Sequence, residues 1–200
     1  MEMRLFAAIL ILMLTGCTKA PVTVPENFKV KFTTSAGDIV VETQRAWSPR
    51  GVDRFHELVR TGYFTEGRFY RVVPGFIAQF GVHKNFETHR MWRQFFILDD
   101  PRVLSNTRGT LVYAQDGTTT RATEMFFNLR DNPLLDEQKF TPFAQVIQGL
   151  DVMDRLYSGY GEMKPEGEFI DAGRVEEAAN DYLVSRFPKL DYIKKAEILP

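Results

Sequence analysis

Between Phe69 and Phe80 the chain reads FYRVVPGFIAQF. Arg71 stands there among aromatic and branched residues, Gln79 sits near the end of the run, and no His, Asp or Cys lies beside either. Such a constellation holds no nucleophile and base for covalent chemistry and no ligand set for a metal ion. It does offer an apolar surface with fixed hydrogen-bond donors. A proline-containing peptide matches both, and its slow chemistry is rotation about the X–Pro bond. Blander readings stay open on residue type alone. A lone arginine in a strand is commonly solvated or salt-bridged, and phenylalanines are commonly core.

Other candidates for chemistry are sparse. His56 falls on a helical pattern between apolar positions and is expected at the surface. His83 and His89 lie six apart in a polar stretch without a ligand-like arrangement of Cys or carboxylates. The serines show no His/Asp pattern of a hydrolase. No metal and no cofactor is expected.

The elements that must hold Arg71 and Gln79 are legible around them. Residues 69–73 and 77–80 read as two strands joined by the Pro74-Gly75 turn. Residues 28–33 alternate strictly, as a strand with one buried face does, and 39–43 return after a turn at 35–38. Further strands are predicted over 110–114, 124–129, 143–147 and 192–199. Ser48 followed by Pro49 marks a helix start, with Ser48 as N-cap. Val52, Phe55, Leu58 and Val59 then repeat at helical spacing until Gly62. Residues 150–157 and 171–186 read as two more helices, and 83–102 as a long loop with local structure. The fold expected is mainly β: a closed antiparallel β-barrel of about eight strands, capped by two helices and carrying an extra C-terminal helix.

Bulk properties agree with one ordinary domain. The 200 residues are 44% hydrophobic, with seventeen Phe against two Trp, enough for an aromatic-rich core. The formal net charge of −1 and the absence of a basic block give nucleic acid no footprint. The one cysteine excludes an internal disulfide.

That cysteine, Cys17, closes an N-terminal segment with a charge at Arg4 and an apolar run over residues 5–14. The run is too short to span a bilayer, which needs roughly 20 residues, and fits a signal-peptide core. Leu14-Thr15-Gly16-Cys17 resembles the bacterial lipoprotein box, in which the cysteine is lipidated and becomes the mature N-terminus. A plain secretory signal with an incidental cysteine is the alternative. The organisation expected is a signal peptide over 1–16, a lipidated Cys17 with a tether over 17–27, and a folded domain over 28–200. Such a protein would be held on the bacterial cell envelope by its lipid. Thr18, where Asp would suggest inner-membrane retention, favours the periplasmic face of the outer membrane.

Four segments, in order, resemble the cyclophilins, the β-barrel peptidyl-prolyl cis-trans isomerases. They are FHELVRTGYF at 55–64, FYRVVPGFIAQFG at 69–81, RGTLVYAQDG at 108–117, and EMFFNLRDNPLLD with FAQVIQGLDVMDRL at 124–136 and 143–156. The resemblance implies that Arg71 is the catalytic arginine and that Gln79 hydrogen-bonds substrate backbone. It implies an apolar proline pocket at Phe76, Ile77 and Phe127, and a groove strand at Ala114 and Gln115 that pairs with the peptide. Met125 falls where the family has a second glutamine, Leu134 where a rim aromatic is usual, and Phe140 near a usual histidine. Phe80-Gly81 replaces a Gly-Gly pair. The segment 162–191 is extra to a minimal member. The activity implied is peptidyl-prolyl isomerisation by a monomer, on proline-containing polypeptides folding in the envelope. A catalytically weak proline-peptide-binding chaperone on the same fold is the second reading, and an unrelated barrel that binds a small apolar ligand is the third.

Overall fold

The computed structural model describes residues 23–163 and 170–200. The expected leader, Cys17 and the first part of the tether lie outside the described residues. Eight strands form one curled sheet: β1 (Lys29–Thr34), β2 (Asp38–Thr43), β3 (Arg71–Val73), β4 (Ile77–Phe80), β5 (Thr110–Tyr113), β6 (Met125–Asn128), β7 (Pro142–Gln148) and β8 (Ile193–Ile198). Their order is β3-β4-β6-β5-β7-β2-β1-β8, and every pairing is antiparallel. The two ends of this row meet. Arg68 bridges Tyr192, the Phe69 N–H donates to Asp191 O at 2.9 Å, and the Ile193 N–H donates to Gly67 O at 3.0 Å. Closing the seam gives backbone partners to groups that an open edge would leave bare.

The interior is aromatic, as the phenylalanine count implies. Phe32, Phe55, Phe64, Phe80, Phe127 and Phe143 are fully buried. Phe32 meets Phe64, Phe80 and Phe127 edge-on at 6.0, 5.7 and 6.1 Å, the geometry aromatic quadrupoles favour. Helix α1 (Pro49–Arg60) adds Val52, Phe55, Leu58 and Val59 to this core. His56 corrects an expectation: it is buried, edge-on to Phe28 at 5.2 Å, and burial lowers its pKa.

Helix α1 begins at Pro49 as the sequence predicts, but Ser48 makes no side-chain cap. Its hydroxyl instead donates to Asp100 Oδ2 at 2.6 Å, and the same oxygen accepts from the Gly51 N–H at 3.2 Å. A carboxylate from fifty residues on therefore caps the helix, where the dipole favours negative charge. Arg121 lies against it, Nη2 to Oδ2 at 3.4 Å, and both side chains are 1% exposed. Burial would raise the Asp100 pKa, yet the hydrogen bonds from Ser48 and Gly51 and the Arg121 charge together hold it low.

The stretch 83–102 is more regular than expected. It contains α2 (Phe86–Arg93), whose N-cap Asn85 accepts from the Thr88 N–H at 2.9 Å. His89 on that helix is buried under Tyr63, with OH to Nδ1 at 3.1 Å, and its pKa is lowered to about 4 by burial. Two short helices, α3 (Pro133–Glu137) and α4 (Leu150–Asp154), flank β7. The extra C-terminal helix is α5 (Ala172–Arg186), capped by Asp171 and broken at Ala179 (φ 48°, ψ −132°). Its Val175, Ala179 and Leu183 pack with Phe187 against Tyr70 and Val82 in a second apolar cluster. The helix is thus fastened directly behind the residue that precedes Arg71. Among the described residues no helix is long and apolar enough to cross a membrane.

Removing one partner of a buried ion pair strands the other charge and costs about 3–5 kcal/mol. Arg121 keeps Asp99, Nε to Oδ1 at 3.2 Å, so Asp100→Ala is expected to cost less than that, about 1–3 kcal/mol, through the acceptor lost to Ser48, the Gly51 N–H and Arg121. Urea unfolding of parent and variant measures it; equal midpoints would show that this node contributes nothing.

Candidate active site

Arg71 and Gln79 face each other across the β3–β4 hairpin as a register pair. The turn between them is tight because Gly75 takes φ +66° after Pro74. Alternation then sorts the two strands. Val72, Ala78 and Phe80 belong to the interior core, while Ile77 and Gln79 lie on the other face. Arg71 Nη1 donates to Gln79 Oε1 at 3.1 Å, and Gln79 Nε2 donates to the Tyr70 hydroxyl at 2.7 Å. That hydroxyl in turn donates to Glu124 Oε2. Burial, with the Glu124 charge next, pushes the Tyr70 phenol well above its usual pKa. It stays protonated and keeps its donor role. The chain Arg71–Gln79–Tyr70–Glu124 fixes the amide of Gln79 and, through it, one edge of the guanidinium.

Beside this chain lies a cavity of about 260 Å³. Phe76, Ile77, Phe126, Leu135 and Phe140 supply its apolar wall, and Arg71, Gln79 and Gln115 its polar edge. Phe126 and Phe140 meet edge-on at 5.6 Å. Arg71 also lies over the Phe76 ring, 5.8 Å from its centre. A second cavity of about 440 Å³ adjoins the first through Gln79, Ala114, Gln115 and Met163. Its other walls include Tyr70, Arg93, Glu124 and, from α5, Val175 and Glu176. Gly81 makes this wall possible: a Cβ there would stand 2.6 Å from Glu124 Cα, and φ is +115°.

Of the residues singled out from sequence, the structure gathers Arg71, Phe76, Ile77, Gln79, Ala114, Gln115 and Phe140 around the first cavity. Three are placed elsewhere. Phe127 is in the barrel interior, stacked on Phe80 at 5.4 Å, and Phe126 takes the cavity wall. Met125 is likewise interior, so the polar residue reaching toward Gln79 is Glu124, at 3.4 Å from Gln79 Nε2. The physical reason is register. Phe126 pairs with Gln79 and Phe127 with Ala78, and a shift of one residue exchanges the faces of a strand. Leu134 is 67% exposed and does not line the cavity; Leu135 does. Strict alternation counted back from Phe126 would have pointed to Glu124. Nothing local points to Glu162, which grips Arg71 with both carboxylate oxygens, Nη2 to Oε2 at 2.8 Å.

A site of this kind has donors and an apolar wall, and no ordered nucleophile–base pair. Among the described residues no group of three or more His, Cys, Asp or Glu is placed to hold a metal ion.

Comparison with known proteins places these observations. Residues 29–178 match the family described as Cyclophilin type peptidyl-prolyl cis-trans isomerase/CLD, and the chain belongs to that family. Over 135 residues it is 32% identical to peptidyl-prolyl cis-trans isomerase B of Escherichia coli K12, covering 64% of this chain and 82% of the relative. Over 162 residues it is 30% identical to peptidyl-prolyl cis-trans isomerase A of Dickeya dadantii, covering 78% and 85%. It also matches peptidyl-prolyl cis-trans isomerase-like 2 of Gibberella zeae at 30% over 126 residues, but spans only 22% of that longer protein. A crystal structure of a cyclophilin type isomerase from Cryptosporidium parvum superposes with a TM-score of 0.62 at 20% identity, covering 87% of this chain and 98% of that one. The eight-stranded curled sheet with its helices is thus the cyclophilin fold, and by family the chain is a peptidyl-prolyl isomerase.

The placement of the paired phenylalanines yields a direct test. Phe126→Leu should raise KM for a prolyl peptide several-fold with little change in folding. Phe127→Leu should instead cost on the order of 1–3 kcal/mol of stability with KM close to parental. Peptide kinetics and urea midpoints on both variants check it, and the reverse pattern would show that the β6 register is wrong.

Proposed function

We propose that this chain accelerates X–Pro rotation with Arg71 as the donor and Gln79 as the residue that holds it. The amide resists rotation because the nitrogen lone pair is delocalised into the carbonyl, with a barrier of about 18–20 kcal/mol. A guanidinium donating to the prolyl nitrogen draws that lone pair back. The bond gains strength as the amide twists, so it favours the transition state over the ground state. The proline ring is held against Phe76, Ile77, Phe126 and Phe140, where water is excluded and the hydrogen bond is stronger. Ala114 and Gln115 edge the groove for the rest of the peptide. No proton leaves any residue and no covalent bond forms.

One observation carries this reading: a guanidinium anchored by Gln79 lies at the edge of an apolar cavity. A second reading, a catalytically weak proline-peptide-binding chaperone, is favoured by the Glu162 carboxylate that now occupies the guanidinium. Arg71→Ala separates them. Loss of one charge-stabilising donor costs about 10²–10³-fold in kcat in comparable sites, and that is the expected fall in proline-limited refolding. Arg71→Lys should recover little, because an ammonium lacks the rigid fork. Unchanged turnover in folded Arg71→Ala would sink the mechanism.

We also propose that the protein acts on polypeptides folding at the bacterial cell envelope, held there by lipid on Cys17. The support is the apolar run over 5–14 that ends on Leu14-Thr15-Gly16-Cys17, the chain's only cysteine. Thr18 favours the outer membrane where an organism has two. Cys17→Ser should remove the lipid mass and move the protein from the detergent phase to the aqueous phase. A parent that carries no lipid by mass spectrometry would refute the anchor.

A further inference from the structure

Glu162 belongs to the segment that the family resemblance left without a role. Its carboxylate accepts from Arg71 Nε and from Nη2, the latter at 2.8 Å. With Nη1 turned to Gln79, the outward fork of the guanidinium is engaged by this chain itself. Met163, next in sequence, lines both cavities where they adjoin. Its N–H donates to Glu162 Oε1 at 3.1 Å, so the two residues are set as a unit.

The approach to this unit is built, not loose. Tyr157 N–H donates to Asp191 Oδ2 at 2.7 Å, and Gly161 N–H to Ser158 O at 3.0 Å. Tyr160 packs edge-on between Tyr157 at 5.1 Å and Phe187 at 4.9 Å. Phe187 ends α5, which is itself packed on Tyr70. The same framework that braces the catalytic hairpin therefore presents a carboxylate to its arginine.

We propose that Glu162 is an intramolecular competitor of the substrate, and that a prolyl peptide gains the Arg71 fork only by displacing it. This rests on the reading of Arg71 as the donor to the peptide. Displacement is feasible because the pair is open to water: the Arg71 side chain is 21% exposed and that of Glu162 is 43%. Ion pairs so placed favour the closed arrangement by only about one-and-a-half- to fivefold. When a competent state is populated at fraction f, the apparent dissociation constant is divided by f while turnover of the bound complex is not changed. Glu162 thus sets KM and leaves kcat to Arg71 and Gln79.

The test uses residues 18–200 as parent, Glu162→Gln and Glu162→Ala, with a short Ala-Pro-containing peptide. Turnover is followed by isomerisation kinetics, and affinity separately by calorimetry. Both variants should lower KM and the dissociation constant about two- to sixfold with kcat unchanged. Raising the ionic strength, which screens exposed charges, should lower KM of the parent and not of the variants. Glu162→Asp, which keeps the charge, should remain nearer the parent. Unchanged or weaker peptide binding in both neutral variants would overturn the proposal, and so would a fall in kcat. The calorimetric arm decides the matter even if Arg71 proves not to drive turnover, so failure of the mechanism and failure of the competitor idea are told apart.

Discussion

Side chains alternate across a strand, and β3, β4 and β6 use both faces for different purposes. One face carries Val72, Ala78, Phe80, Met125 and Phe127 into the barrel. The other presents Arg71, Ile77, Gln79 and Phe126 to the groove. The aromatic core is therefore also the mould of the site. The Phe80–Phe127 stack holds two backbones whose neighbouring side chains, Gln79 and Phe126, line the first cavity.

On the groove side, position is transmitted by hydrogen bonds. Arg71 is steadied by Gln79, Gln79 by Tyr70, and Tyr70 by Glu124. Tyr70 joins two parts of the molecule, since its ring lies in the cluster with α5 while its hydroxyl serves the site. The C-terminal helix is accordingly a buttress for the β3–β4 hairpin and, through Val175 and Glu176, a wall of the second cavity. Arg93 of α2 reaches Glu176 at 3.1 Å and Glu124 at 4.0 Å, which ties that wall back to the barrel. The Asp100–Arg121 node joins the start of α1 to the loop that follows α2.

Much was determined by the sequence alone, because local patterns record it. Strict alternation over 28–33, the Pro74-Gly75 turn, the Ser48-Pro49 start and the apolar spacing of α1 each follow from short-range sterics and burial. The Arg71 and Gln79 pair was legible for the same reason: two strands of known phase around one turn put both residues on one face. The resemblance of four ordered segments supplied the family.

Other features were decided only in three dimensions. MFFN, the sequence of β6, is apolar at its first three positions, so alternation cannot say which phenylalanine faces outward. That choice is made by the pairing of Phe126 with Gln79. Asp100 caps α1 from across the fold, and His56 is buried by Phe28, neither of which a window of neighbours can reveal. The grip of Glu162 on an arginine 91 residues away is the extreme case. A carboxylate in a polar stretch looks like any solvated charge. It acquires a role only because the helix behind it is packed against the residue before Arg71.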